Sequence, residues 1–198
     1  MLKLLFLLIG ACLELSACVA AQPIMLQSGQ AVNIESNSAN YLTPAQDPDG
    51  DGDAKGYHDF PNMRPATGNK VFVFDPQKGI WAAYNENGER VNVGRASGGK
   101  SYCPDVKRSC KTIVGEFKIL RKGGKNCKSG RYPLETNGGA PMPYCMLFSD
   151  KGYAVHGSHD VPDQNASHGC IRITPMAAQW LSHNFMEVGT LVIVLPYS

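Results

Sequence analysis

Residues 156–172 hold three of the chain's five histidines, His156, His159 and His168, close to one cysteine, Cys170. A thiol is a useful nucleophile only as its thiolate, and a nearby imidazole can take the proton and stabilise the resulting charge. Cys170 is therefore the candidate nucleophile, and the clustered imidazoles, His156 and His168 among them, are candidates to take its proton. Gly169 lets the backbone approach a substrate closely, and the N–H groups of Gly169 and Cys170 are candidate donors to the oxyanion of a tetrahedral intermediate. A lone cysteine usually packs as a small hydrophobe, and a lone histidine is usually a satisfied surface or core residue. Here the two types cluster, which is what singles them out. His159 reads as a solvated loop residue. The same imidazoles and thiol could surround zinc, but no ligand pair has the close spacing of a structural zinc site, so neither metal nor cofactor is expected.

Such groups need a scaffold. Lys70-Val71-Phe72-Val73-Phe74 alternates apolar residues, Asp75 to Gly79 forms a turn, and Ile80-Trp81-Ala82-Ala83-Tyr84 alternates again, which predicts a hairpin. Asn85 to Gly88 is a second turn before a strand at Arg90 to Val93. Further strands are expected over Thr112–Leu120, Met146–Phe148, Tyr153–Val155 and Leu191–Leu195. One helix stands out: Thr174 can cap it with Pro175 in the first position, and Ala177, Ala178, Leu181 and Phe185 give it an apolar face. Trp180 and Phe185 are expected in the core. The fold class is mainly β, and 198 residues suit one such domain with flanking segments.

The flanks set the compartment. Lys3 followed by an apolar run from Leu4 to Leu13 and then small residues reads as a signal peptide over residues 1–21, too short to span a membrane. Val19-Ala20-Ala21 suits ordinary cleavage before Gln22, whereas Leu15-Ser16-Ala17-Cys18 matches a lipoprotein box. Glu14 favours the first, and membrane attachment follows only if Cys18 is lipidated. Either product lies outside the cytoplasm, in the periplasm or cell envelope. Residues 22–69 form a polar arm in which Asp47, Asp49, Asp51 and Asp53 resemble the start of a calcium loop. His58 stands where the bidentate Glu would be required, so a solvated linker is the better reading. In an oxidising space Cys103, Cys110, Cys127 and Cys145 form an even set with three possible pairings. Proximity favours Cys103 with Cys110 and Cys127 with Cys145, and four free thiols remain open. A net charge of +2 without a basic–aromatic run sets nucleic acid aside.

Ser167-His168-Gly169-Cys170-Ile171-Arg172, preceded by His156-Gly157, resembles the signature of the L,D-transpeptidase (YkuD-type) catalytic family. Lys70–Tyr84, Thr112–Phe117 and Val188–Ile193 resemble its opening hairpin, its Thr-Pro-Thr-Gly-x-Phe strand and its closing strand. The resemblance implies a β-sandwich-like catalytic domain over residues 70–198, with the cysteine in a cleft beneath a mobile capping loop and the region from Cys103 to Cys145 contributing to that cleft. It implies Cys170 as nucleophile, His156 as base, His168 and Ser167 lining the site, Gly157 and Gly169 beside it, and Arg172 orienting the cleft or meeting an anionic part of the substrate. The implied partners are peptidoglycan stem peptides as donor and acceptor, with inhibition by carbapenems. The implied products are 3→3 cross-links. Carboxypeptidase action, linking or cleavage of an outer-membrane lipoprotein, and a silent wall-binding protein remain open alternatives. Three departures stand out: the short connection between His156 and Ser167, Ile113 where Pro is usual, and Thr174-Pro175 where Asn is common.

Overall fold

The computed structural model describes residues 59–197. The signal segment, the cleavage alternatives and the acidic stretch Asp47–Asp53 lie outside the described residues.

Among the described residues nine strands form two sheets: β1 (Val71–Asp75), β2 (Ile80–Tyr84), β3 (Arg90–Arg95), β4 (Gly115–Lys118), β5 (Arg121–Lys122), β6 (Met146–Leu147), β7 (Ala154–Gly157), β8 (Ile171–Ile173) and β9 (Leu191–Val194). The first sheet runs β3-β2-β1-β9-β4 and the second β5-β6-β7-β8. The expected hairpin is present, with Val71 opposite Tyr84 and Asp75 opposite Ile80. Its turn is closed by the Asp75 carboxylate, which accepts from the N–H groups of Gln77 and Lys78, and by Gly79 at φ +67°. β1 pairs in parallel with β9, and β9 then pairs antiparallel with β4.

Alternation along these strands sorts the core into two clusters. Phe72, Phe74, Trp81, Ala83, Val192 and Val194 point inward from the first sheet, and Met146, Val155, Ile171 and Ile173 from the second. They meet the helix α1 (Pro175–Trp180) through Ala177 and Ala178, and the π-helical turn Leu181–Phe185 through Leu181 and Phe185. Val71, Val73, Ile80, Ala82 and Tyr84 occupy the other face of the first sheet, where Phe60 joins them. The last part of the polar arm thus does pack core. Tyr84 Oη donates to the Pro61 carbonyl at 2.9 Å, and the Arg64 N–H donates to Gly88. Among the described residues no helix is long and apolar enough to cross a membrane.

The expected helix begins as its sequence dictates, with Thr174 extended at the N-cap and its hydroxyl accepting from the Ala177 N–H. Trp180 packs against the core only at its edge and stacks on Phe185 with ring centroids 5.8 Å apart. Two strand expectations are corrected. The strand expected over Thr112–Leu120 contracts to Gly115–Lys118. Thr112 is instead held sideways, its N–H donating to Tyr197 Oη and its hydroxyl accepting from the Gly99 N–H. Ile171–Ile173, read only as part of a motif, is a strand that pairs in parallel with β7.

Candidate active site

Parallel β7 and β8 position the candidate residues. Val155 faces Ile171 and His156 faces Arg172. Val155 and Ile171 are fully buried in the core, so alternation sends their neighbours His156 and Arg172 to the opposite face, with Cys170 two residues before Arg172 on that same side. All three line one cleft of about 870 Å³, together with Ser167 and His168. His159 is exposed and does not line it.

Residues 97–100 clamp the motif from the other side. Ser97 and Arg172 exchange both backbone hydrogen bonds, the Ser167 N–H donates to Gly98, and the Lys100 N–H donates to Ser167. Asn165 Oδ1 accepts from the Gly98 N–H at 2.8 Å. Ser167 braces the turn internally: its hydroxyl accepts from the Gly169 N–H at 3.0 Å and donates to the Cys170 carbonyl at 2.5 Å. The Gly169 N–H is therefore engaged by Ser167 in this state, which corrects its expected place among the free oxyanion donors. Gly169 is required for a different reason: it sits at φ +128°, and a Cβ there would lie 2.6 Å from the ring of Tyr153.

His156 is buried, and its Nδ1 lies 2.8 Å from the carbonyl of Gly157. A carbonyl can only accept, so Nδ1 carries the proton of the neutral ring and Nε2 is left as a lone-pair acceptor. Burial depresses the His156 pKa to about 4; the Gly157 carbonyl opposes this shift and the Arg172 charge adds to it. Gly157 was expected at the substrate, but it is buried. A Cβ on it would meet Pro175 and Pro143 at 3.0 and 3.1 Å, so it holds the base and packs the strand instead of lining the cleft.

Cys170 is the free cysteine among the described residues, and as a residue it is partly exposed. Atoms packed around the sulfur push its pKa up to about 11, against the pull of the Ala154 backbone and of Arg172. The thiol donates to the Gly152 carbonyl, 3.7 Å from Sγ. Burial thus favours the neutral form of both the thiol and the imidazole.

Arg172 is engaged by Asp160 at 2.6 Å. His168 Nε2 lies 2.7 Å from Asp105, and its ring packs 4.4 Å from that of Tyr132. Desolvation pushes the Asp105 carboxyl up, but the hydrogen bond and charge of His168, with the backbone N–H groups of Asp105 and Val106, outweigh it and hold the carboxyl below its usual value. Asp105 belongs to a loop closed by the disulfide Cys103–Cys110, and a second disulfide, Cys127–Cys145, closes the loop that carries Tyr132. These are the pairings that proximity favours. The described residues whose ligand atoms converge within 4.8 Å are Cys103, Cys110 and His168, and the two sulfurs are bonded to each other. Asp105, Tyr132, Tyr153 and Asp160 escaped the sequence reading. Asp105 alone carried a local signal, an acid between two closely spaced cysteines.

The model of a family described as the L,D-transpeptidase catalytic domain (YkuD) matches residues 68–194. No curated protein is matched. Among solved structures the chain is similar to an L,D-transpeptidase from Xylanimonas cellulosilytica, at 28% identity over 67% of this chain and 63% of that one, with a TM-score of 0.55. It is also similar to an L,D-transpeptidase from Mycobacterium smegmatis, at 26% identity over 65% of this chain and 59% of that one, with a TM-score of 0.53. L,D-transpeptidase 3 from Mycobacterium tuberculosis, solved with a faropenem-derived adduct, shares the fold at 21% identity, covering 65% of this chain and 60% of that one with a TM-score of 0.53. The chain spans less than two thirds of the length of each of these three.

Proposed function

The chain belongs to the L,D-transpeptidase catalytic-domain family, and from that premise we propose that it is an exported acyltransferase that forms 3→3 cross-links between peptidoglycan stem peptides through a thioester on Cys170. The observation that carries the reading is the placing of His156 and Cys170 on one cleft face of adjacent strands, with His156 Nδ1 tied to Gly157 so that Nε2 is the free acceptor.

In the proposed cycle the Cys170 sulfur attacks the amide carbonyl of the third residue of a donor stem while its proton passes to His156 Nε2. Burial favours the neutral form of both groups, so this proton transfer is what makes the sulfur nucleophilic. The tetrahedral oxyanion is held by backbone N–H donors beside the nucleophile, of which Cys170 supplies one. Terminal D-alanine leaves as an amine, taking the proton from His156, and a thioester remains. The side-chain amine of a second stem's diamino acid then attacks the thioester, gives up a proton to His156, and regenerates the thiol. Water in the same role would release a tripeptide. Ser167 fixes the turn that presents the sulfur, and His168, held by Asp105, forms part of the wall against which the donor lies. Export rests on the character of residues 1–21.

The test is incubation of the purified protein with a disaccharide-tetrapeptide, products being followed by mass spectrometry beside Cys170→Ala. A cross-linked dimer that the variant cannot make supports transpeptidation. Tripeptide alone points to hydrolysis, and the absence of any Cys170-dependent product overturns the reading. The faropenem-derived adduct of the Mycobacterium tuberculosis relative suggests a parallel check, in which a penem adds covalently to the protein and not to Cys170→Ala.

A further inference from the structure

The cleft around Cys170 is lopsided in charge. Its lining includes seven Lys or Arg side chains and a single acid, Asp160, and that acid is already bound to Arg172. The remaining six are Arg108, Arg121, Lys122, Lys128, Arg131 and Lys151. All are exposed, and none forms an ion pair with a carboxylate among the described residues. Lys122 Nζ donates to the Ser182 carbonyl, and the Arg131 guanidinium lies 5.7 Å over the ring of Tyr132. The whole chain carries a formal charge of only +2, so this concentration is local and not a reflection of composition.

Unpaired cations around a concave site raise the local concentration of anions and favour those whose charge is retained on binding. A stem peptide offers such charges. Besides the terminal D-alanine carboxylate that departs, its second residue and its diamino acid each carry a carboxyl that can be presented free or as a neutral amide. We infer that the cleft selects stem peptides whose carboxyls are free and discriminates against amidated stems, with Lys128 and Arg131 as specificity residues. The choice of these two follows from the fold: they lie on the wall closed by the Cys127–Cys145 disulfide, where Ser129 and Ala140 pair across the loop and fix the backbone that carries them. Arg131 is further held against Tyr132, which packs on His168 beside the nucleophile. This inference rests on the acyl-transfer reading of the cleft.

The experiment compares two synthetic disaccharide-tetrapeptides, identical except that one carries free carboxyls and the other carries amides at the second residue and the diamino acid. Turnover is measured with the purified protein, and binding of each compound is titrated calorimetrically to Cys170→Ala. The free-carboxyl donor should show about tenfold higher kcat/KM and tighter binding at low salt. The ratio should fall toward one at 0.5 M salt, where screening shortens the reach of the charges, and in Lys128→Gln/Arg131→Gln. Equal binding of the two stems at low salt, or preference for the amidated one, overturns the inference. If neither stem turns over, the acyl-transfer reading fails while the titration still reports the charge preference.

Discussion

His156 links the chemistry of the site to its stability. Burial places its pKa near 4 against an ordinary value of 6.5, so the folded state binds fewer protons than the unfolded chain between those values. The stability associated with the neutral ring is complete above pH 6.5 and is lost as pH falls toward 4, about 3 kcal/mol in all. Urea unfolding of the native protein and of His156→Gln across pH 4 to 7 checks this: the difference between them should shrink as pH falls, and a constant difference contradicts it. That His156, Ser167, His168, Cys170 and Arg172 would share one cleft was legible in the sequence because they crowd into one short stretch and their residue types are rare together. Their electrostatic state was not, since it depends on how tightly Val155, Ile171 and their neighbours close around the β7–β8 pair. Asp105 reaches His168 across 63 positions, a separation at which a single sequence carries no pairing signal.

The elements divide into those encoded locally and those created by packing. The β1–β2 hairpin and α1 were readable because alternation, turn residues and a cap each act within a few residues. β8 is three residues long and exists because β7 lies alongside it, so no periodicity could announce it. The wall between Cys127 and Cys145 has little regular structure, and its disulfide spans a sequence separation of 18. A loop of that length loses about 3 kcal/mol of cross-link stabilisation when cut, on the chain-entropy account. Cys127→Ser/Cys145→Ser should therefore unfold at lower denaturant. Because this wall carries Lys128 and Arg131, the variant should also raise KM for the donor more than it lowers kcat. An unchanged KM would mean that the wall keeps its shape without the bond.

At the scale of the molecule, the described chain buries apolar residues on both faces of its first sheet. One face meets the second sheet and α1, and the other meets Phe60. Residues 59–69 read as polar linker because a single aromatic among polar residues shows no period, yet Phe60 is 8% exposed and Arg90 donates to its carbonyl. Phe60→Ala should cost about 3 kcal/mol of unfolding free energy and leave kcat/KM near the native value. A substitution with no effect on the unfolding midpoint would show that this contact adds nothing to the fold.

The order β3-β2-β1-β9-β4 has a temporal side. β4 joins the sheet only through β9, which is the last of the strands to be synthesised. Until residues 191–194 emerge, β1 and β4 share no ladder, and the first sheet stops at a three-strand meander with an open side. A nascent chain of this protein thus cannot complete its first sheet until β9 has emerged, however early β1 to β4 are made.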